Sequence, residues 1–227
     1  MSRPVPQLDV TVGDHRLRLM ADRAAWWPAA KTLLVADVHF GKAATFRAAG
    51  IAVPEAVAHD LARLDALLRE TGADRLVILG DMFHAAAGRT DAVQDQLRQW
   101  RARRRRLQLM LVRGNHDRSA GDPPDDLHIT CVDEPHDLAD LALAHDPGVV
   151  GGDAAGVAGH LHPAVALRDV GRTPLRLPCF VHESHRLTLP AFGSFTGMRA
   201  VNRQLPAIAI SPAGLVPLGH RRGGEQR

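Results

Sequence analysis

The chain contains no tyrosine, and aromatic residues make up only 4% of its 227 positions. Its two cysteines, Cys131 and Cys179, lack the C-x-x-C spacing of a structural zinc site. We expect both to be reduced residues of the core or its boundary. No apolar run reaches the roughly 18 residues that cross a membrane, and residues 1–10 lack the apolar segment of a signal peptide. These absences predict a cytoplasmic protein without membrane association.

Lysine is also scarce, since Lys31 and Lys42 are the only two and the other basic residues are arginines. Arginine binds phosphates in a bidentate manner, but abundant Ala, Gly and Pro also fit a bias in genome base composition. The net charge of +3 permits a polyanionic partner without requiring one. With 45% hydrophobic and 23% charged residues, the composition is that of a globular protein. We expect a single domain over residues 1–218 and a disordered polar tail over 219–227.

Strand and helix patterns alternate in the first half of the chain. Residues 8–20 predict one or two strands, with a hairpin around Gly13 and Asp14. Apolar runs predict strands at residues 32–36, 75–79 and 107–112, and helical spacing predicts helices at residues 56–69 and 91–106. This β-α-β-α-β order implies parallel strands with right-handed crossovers.

Beyond Pro123 and Pro124 the pattern changes to short strands separated by Gly and Pro. The predicted strands are residues 141–144, 156–158, 164–167, 187–189 and 208–210. They indicate a second, mostly antiparallel sheet packed on the first. The expected fold class is therefore mixed α/β, or α+β.

Five short clusters of potential metal ligands each follow a predicted buried strand. They are Asp37-Val38-His39, Gly80-Asp81-Met82-Phe83-His84, Gly114-Asn115-His116-Asp117, His145-Asp146 and Gly159-His160-Leu161-His162. Loops at the carboxyl ends of strands gather at one edge of a sheet, where ligands bind. Side chains that are distant in sequence can therefore meet in one small volume.

Carboxylate, amide and imidazole groups without thiolates favour Mn²⁺, Fe²⁺, Ni²⁺ or Zn²⁺ at a catalytic site. Seven or more ligands exceed one tetrahedral ion but fit two ions that share a carboxylate, the arrangement used for in-line phosphoryl transfer. Each cluster alone has another interpretation. Asp37 suits a helix cap, Asp81 and Asn115 suit turns, and a His pair suits an exposed strand edge. The five together favour a metal site.

With these blocks in this order, residues 35–165 resemble the calcineurin-like metallophosphoesterase superfamily. The resemblance implies a four-layer α-β-β-α sandwich with two central mixed sheets and a site for two divalent ions. One ion would be held by Asp37, His39 and His162, the other by Asn115, His145 and His160, and Asp81 would bridge them.

The same resemblance implies a hydroxide between the ions that attacks phosphorus in line. His116 would lie near the leaving oxygen as proton donor or charge stabiliser. Asp117 and His84 would orient the groups around them. Arg113 would contact a substrate phosphate oxygen or, alternatively, pair with an acid.

Residues 8–216 show a closer similarity to the bacterial ligase-associated DNA damage response endonucleases. It rests on residues 37–46 (DVHFGKAATF), 111–118 (LVRGNHDR), 177–180 (LPCF) and 189–197 (LPAFGSFTG). Members are Mn²⁺-dependent phosphodiesterases encoded beside a DNA ligase, a helicase and an exonuclease. Asp146 departs from the Glu expected after His145, at a position that is not a metal ligand. The similarity implies cleavage of single-stranded or looped DNA in DNA repair.

Independent signs of DNA binding are weaker. The arginine-rich run 101–106 suits either phosphate neutralisation or the solvated end of a helix, and we expect it at the edge far from the site. Lys42 and Arg47 follow the first metal loop and are better placed near a phosphate backbone. Phe40 and Phe46 could stack on bases or pack in the core. The apolar segment 192–197 suits a wall of the site or an oligomer contact.

Two other functions share features of this sequence. A phosphodiesterase or phosphatase for a small nucleotide would use the same site, but would be expected to have a capped pocket. No inserted cap domain is evident in 227 residues, which favours an open site. A scaffold subunit without activity would be expected to lack ligands, whereas here every ligand position is filled. The oligomeric state is left open.

Overall fold

The computed structural model describes residues 5–48, 50–51, 53, 56–167, 175–202 and 204–218. The predicted tail at 219–227 lies outside the described residues. The first of two sheets has seven strands: β1 (Gln7–Val12), β2 (His15–Met20), β3 (Ala24–Trp27), β4 (Thr32–Ala36), β5 (Arg75–Leu79), β6 (Gln108–Val112) and β7 (Ile129–Val132). They lie in sequence order across the sheet.

The predicted hairpin at residues 8–20 is confirmed by β1 and β2, which are antiparallel with Val12 opposite His15. Gly13, at a φ of 55°, provides the left-handed conformation that this tight turn needs. From β4 to β7 the strands are parallel, as the alternation of strands and helices predicts. Within this first sheet, the strands β3 and β7 are additional to those predicted.

Four α-helices connect these strands: α1 (Lys42–Ala48), α2 (Val57–Thr71), α3 (Asp91–Ala102) and α4 (Asn115–Ala120). Helix α2 ends at Gly72, which takes a left-handed conformation. Helix α3 begins where the Thr90 side chain accepts a hydrogen bond from the Val93 amide. It ends at Ala102 rather than at residue 106, because the chain turns there and the Arg101 guanidinium donates to the Leu107 carbonyl.

The second sheet contains the remaining nine strands: β8 (His136–Leu138), β9 (Leu141–Leu143), β10 (Gly156–Ala158), β11 (Pro163–Leu167), β12 (Leu175–His182), β13 (Arg186–Thr188), β14 (Arg199–Ala200), β15 (Ala207–Ser211) and β16 (Gly214–Pro217). Most pairings are antiparallel, but β10 runs parallel to both β9 and β13, and β11 runs parallel to β14. The predicted second sheet is confirmed, and it is mixed.

One large apolar core lies between the two sheets. It joins fully buried side chains of the first sheet, such as Leu34 and Leu79, to those of the second, such as Leu143 and Phe180. A second core packs helices α2 and α3 against the outer face of the first sheet. The predicted mixed α/β fold with two central sheets is confirmed. Among the described residues, the outer face of the second sheet carries only small apolar clusters and a short 3₁₀ turn, Pro147–Val149.

This layering places the ends of β4, β5, β6, β9 and β10 beside each other. No helix in the described part of the chain has the length and apolarity needed to cross a membrane.

Candidate metal centre

The seven predicted metal ligands lie together where the two sheets meet. Four of them follow strands of the first sheet, and three follow strands of the second: Asp37, His39, Asp81 and Asn115 from the first, and His145, His160 and His162 from the second. Because the two sheets pack against each other, predicted ligands more than a hundred residues apart in sequence lie close together.

One group consists of Asp37, His39 and His162. The Nε2 atoms of the two histidines are 3.4 Å apart, and His162 Nε2 is also 3.4 Å from Asp37 Oδ1. Adjacent ligands bound at about 2.1 Å to one ion are separated by roughly 3.0 to 3.4 Å. The three donor atoms therefore have the spacing of ligands around one ion.

A second group consists of Asn115, His145 and His160. His145 Nε2 lies 3.0 Å from Asn115 Oδ1 and 2.9 Å from His160 Nδ1. The spacing is again that of neighbouring ligands on one ion.

The Asp81 carboxylate lies between the two groups. Its Oδ2 is 3.8 Å from His39 Nε2, and its Oδ1 is 3.6 Å from His145 Nε2. Burial raises the pKa of Asp81, although the nearby His145 opposes this shift. One carboxylate oxygen facing each group is an arrangement in which a carboxylate can bridge two ions.

Backbone carbonyls orient two of the imidazole rings. His145 Nδ1 is 3.2 Å from the Leu79 carbonyl, and His162 Nδ1 is 3.2 Å from the Gly197 carbonyl. A carbonyl can only accept, so each Nδ1 donates and each Nε2 is directed to the centre. Burial alone would lower the pKa of His162, but the neighbouring Asp37 carboxylate outweighs this effect and raises that pKa.

The interior of the site fits a cation. Asp37 is fully buried, and within the described part of the chain its Oδ1 has no hydrogen-bond donor. Burial, reinforced by the positive charge of Lys42, lowers the pKa of His39 to about 2, so this imidazole is neutral and can act as a ligand. A buried carboxylate oxygen without a donor is costly unless a cation meets it. These residues therefore suit divalent ions.

The backbone is strained at most of these positions. Of the ten non-glycine residues with positive φ in the described part of the chain, five are predicted ligands: Asp37, His39, Asp81, His160 and His162. Left-handed conformations of such residues cost about 1–3 kcal/mol each and concentrate at functional sites. The loops thus adopt unfavourable conformations that direct ligand side chains inward.

Asp117 joins two of the ligand loops. Its buried carboxylate accepts hydrogen bonds from the backbone amides of Gly114, at 2.9 Å, Asp81, at 2.7 Å, and Met82, at 2.9 Å. Gly114 is required by close approach, because a β-carbon there would lie 2.3 Å from Asp81 Oδ1. Burial raises the pKa of Asp117, and the amide hydrogen bonds oppose this shift.

His84 and His116 form a pair at the rim of the centre. Their rings stack with centroids 5.0 Å apart, and His116 Nδ1 is 2.6 Å from the His84 carbonyl. His116 Nε2 points inward, 3.9 Å from Asp81 Oδ2. Burial and the Lys42 charge lower the pKa of His84 to about 4. With His39, the pair forms a further cluster of imidazole nitrogens.

The three predicted phosphate contacts occupy different surroundings. Arg113 forms a bidentate ion pair with Asp122, at 2.7 and 2.8 Å, and a bond to Asp133. Of the two alternatives predicted for Arg113, the structure thus shows the pairing with an acid. The hydrogen bond with Asp122 raises the pKa of Arg113. Lys42 is half-buried, and burial lowers its pKa, although the negative charges of Asp81 and Asp37 oppose this shift. Arg47 lies on α1 and donates to the Val53 carbonyl.

The basic run ends far from the centre. It precedes β6, at the edge of the sheet opposite Asn115, as the sequence predicts. Two of its arginines make contacts within the chain. Arg101 donates a hydrogen bond to the Leu127 carbonyl, and Arg104 forms an ion pair with Asp65 at 2.8 Å.

Glu134 was not identified from the sequence. Its Oε2 accepts hydrogen bonds from the amides of His145, at 2.9 Å, and Asp146, at 2.8 Å, and so holds the His145 loop. Asp146 itself accepts from the Gly148 amide and turns the chain. Glu134 lies in a connection between strands that carries no sequence motif. Only its hydrogen bond to the His145 amide, eleven residues away in the sequence, identifies it.

A metal-dependent phosphoesterase is the class of enzyme that this fold and this set of donors define. The profile of the calcineurin-like phosphoesterases matches residues 30–174, and the chain belongs to that family. Among solved structures, Pseudomonas putida nuclease MPE is similar at 42% identity with a TM-score of 0.80, over 93% of this chain and 100% of the nuclease. This likeness fits the similarity to the ligase-associated DNA damage response endonucleases.

Another similar structure is Yfce, a phosphoesterase from E. coli, at 19% identity over 82% of this chain and 96% of that one. Its TM-score of 0.42 is too low to support an inference. No curated protein matches the chain.

Proposed function

We propose that this enzyme is a Mn²⁺-dependent endonuclease that cleaves single-stranded or looped DNA in DNA repair. The observation that carries this proposal is the 42% identity to nuclease MPE, which extends over 93% of the chain. A nuclease needs a site open enough for a continuous strand. The described residues that surround the centre include exposed side chains such as Leu161 and Met198, in keeping with an open site.

In the proposed site, Asp37, His39 and His162 would hold one ion, Asn115, His145 and His160 would hold the other, and Asp81 would contribute to both. When bound, the two ions would supply an activated water and stabilise negative charge on the phosphate oxygens. The donor set suits Mn²⁺, and Fe²⁺, Ni²⁺ and Zn²⁺ are the alternatives.

The proposed proton donor is His116. Its Nδ1 must donate to the His84 carbonyl, since the carbonyl can only accept. This leaves Nε2, which points to the centre, as the atom that holds or releases a proton. A protonated Nε2 would give its proton to the oxygen of the leaving strand and stabilise the charge that develops there. His84 keeps the ring in this orientation by stacking on it.

Lys42 is the best-placed phosphate contact of the three predicted. Lys42 and His39 line the same small cavity, and the charge of Lys42 interacts with those of Asp81 and Asp37. Asp117 and Glu134 would act through the backbone, by holding the loops that carry Asp81 and His145. Arg113 would have to break its ion pair with Asp122 to contact the substrate, so we do not assign it to the phosphate.

The test is a Mn²⁺-dependent cleavage assay on single-stranded DNA, duplex DNA and cyclic nucleotides. We expect DNA cleavage by the wild type, loss of activity in Asp81→Ala, and a roughly 10²- to 10⁴-fold lower rate in His116→Ala. Turnover of cyclic nucleotides alone would instead identify a small-nucleotide phosphodiesterase. Two variants as active as the wild type would contradict the site assignment.

A further inference from the structure

The chain has nine aromatic residues, and seven of them are buried: Trp26, Trp27, Phe40, Phe83, Trp100, Phe180 and Phe192. The other two, Phe46 and Phe195, meet edge to face with ring centroids 5.5 Å apart. Phe195 is 36% exposed, and Phe46 is half-buried. The two aromatic rings that the core does not absorb therefore form one pair at the surface.

This pair lies beside the metal centre. Phe46 belongs to α1, which begins directly after the His39 loop, with the Lys42 amide bound to the His39 carbonyl. Phe195 lines the same small cavity as His39 and Lys42. Both rings are therefore adjacent to the loop that carries two of the predicted ligands.

The segment around Phe195 is held in place at both ends by the site. The Gly193 amide donates to the Asp37 carbonyl at 3.2 Å, and the Gly197 carbonyl binds the His162 ring at 3.2 Å. Between these contacts, the Ser194 amide and hydroxyl bind the buried Asp60. Segment 192–197 is thus a fixed wall that spans the site from Asp37 to His162.

Apolar groups continue along this rim. Leu161 is 36% exposed and directly precedes His162 in the sequence. Met198 is 38% exposed and follows Gly197, whose carbonyl contacts the His162 ring. An exposed apolar rim around a site of carboxylates and imidazoles calls for a ligand that is charged in one part and apolar in another. A nucleotide has this character, since its phosphate is anionic and its base has an apolar face.

We propose that Phe46 and Phe195 form a stacking site for a nucleobase next to the phosphodiester that is cleaved. The inference rests on the proposed nuclease function and specifies its substrate. Aromatic side chains stack on any base, so the site would tolerate all sequences. In a duplex the bases are already stacked and paired, whereas an unpaired base is free to meet the rings. The pair would therefore select single-stranded over duplex DNA.

The experiment is a double-mutant cycle between the ring and the base. The holoenzyme with Mn²⁺ and its Phe195→Ala variant each cleave two substrates, an oligothymidylate and an abasic strand with the same sugar–phosphate backbone. We expect removal of the bases to lower kcat/KM of the wild type by roughly 5- to 150-fold, the effect of losing a base–aromatic stack. In Phe195→Ala the two substrates should be cleaved at similar rates.

The control is Leu205→Ala, an exposed apolar residue on another loop, which should keep the full preference of the wild type. Phe195→Trp should also keep it, since a larger ring still stacks. Equal losses on both substrates in Phe195→Ala would show a merely structural role and overturn the proposal. A variant that prefers the strand with bases as strongly as the wild type does would also overturn it. This holds equally if sedimentation shows that the variant has lost a contact between two copies. A wild type that cleaves neither strand would instead contradict the nuclease function.

Discussion

At the scale of single residues, Asp117 is a buried carboxylate that joins two of the loops carrying predicted ligands. Its carboxylate accepts amides from both the Asp81 loop and the Gly114 loop. Asp117→Asn replaces one acceptor oxygen with a donor that faces these amides. We expect Mn²⁺ affinity, measured by titration calorimetry, to fall about 10- to 100-fold. Asp122→Asn, on an exposed partner of Arg113, is the matched control and should bind normally.

His39 gives a prediction for pH. Burial lowers its pKa to about 2 in the folded chain, whereas the unfolded chain has the ordinary value of 6.5. Below pH 6.5 the unfolded state therefore takes up a proton that the folded state does not. For the metal-free protein this contribution to stability is present above pH 6.5 and is lost toward pH 2, at up to about 1.4 kcal/mol per pH unit.

Urea unfolding of the metal-free protein in EDTA at pH 7 and pH 5 measures this effect. His39→Gln removes the titrating ring, so its stability should depend less steeply on pH. Equal pH dependence in the wild type and this variant would show that His39 is not held neutral by the fold.

At the scale of elements, the sequence predicts buried strands more accurately than short strands and helix ends. Strands Thr32–Ala36 and Arg75–Leu79 have the predicted bounds, because an apolar run between polar residues marks a strand covered on both faces. Strand Ala24–Trp27 was missed because it is short and followed by proline. Helix α3 ends four residues early, since arginine favours helix but the chain must turn to reach β6.

Prediction from the sequence is limited in the same way at the candidate metal centre. Residue types and strand ends indicate the seven predicted ligand positions, and the structure brings these residues together. Groups such as the Gly197 carbonyl beside His162 cannot be predicted in this way, because every residue has a carbonyl and only tertiary packing selects one. The left-handed conformations of Asp37 and His39 also depend on the loops around them.

The arginine-rich turn after α3 lies at the edge of the sheet opposite the ligands. If Arg103, Arg105 and Arg106 are only a solvated helix end, their triple substitution by Gln should leave cleavage of single-stranded DNA within about twofold. The salt dependence of DNA binding should also be unchanged. A fall in its log–log slope by about 2 would instead show that these side chains contact three phosphates of a single strand.

At the scale of the whole molecule, the two sheets contribute separate halves of the centre. Asp37 and Asp81 belong to the first sheet, and His145 and His160 belong to the second. The geometry of the site therefore depends on how closely the sheets approach. Gly159 lies at this contact. A β-carbon at Gly159 would be 2.5 Å from the Ala36 β-carbon and 2.8 Å from Asp37 Oδ2.

Gly159→Ala should consequently push the second sheet away from the first. We expect a loss of about 1–3 kcal/mol in the free energy of unfolding, typical of an overpacked interior, together with weaker Mn²⁺ binding. Gly151→Ala is the matched control, because a β-carbon there meets nothing within 4 Å. Thermal unfolding with and without Mn²⁺ measures both effects, since an ion that binds only the folded state raises Tm. If Gly159→Ala lowers Tm but keeps the full Mn²⁺-induced rise, the sheets can move apart without disturbing the centre, and the dependence of the site on their packing is refuted.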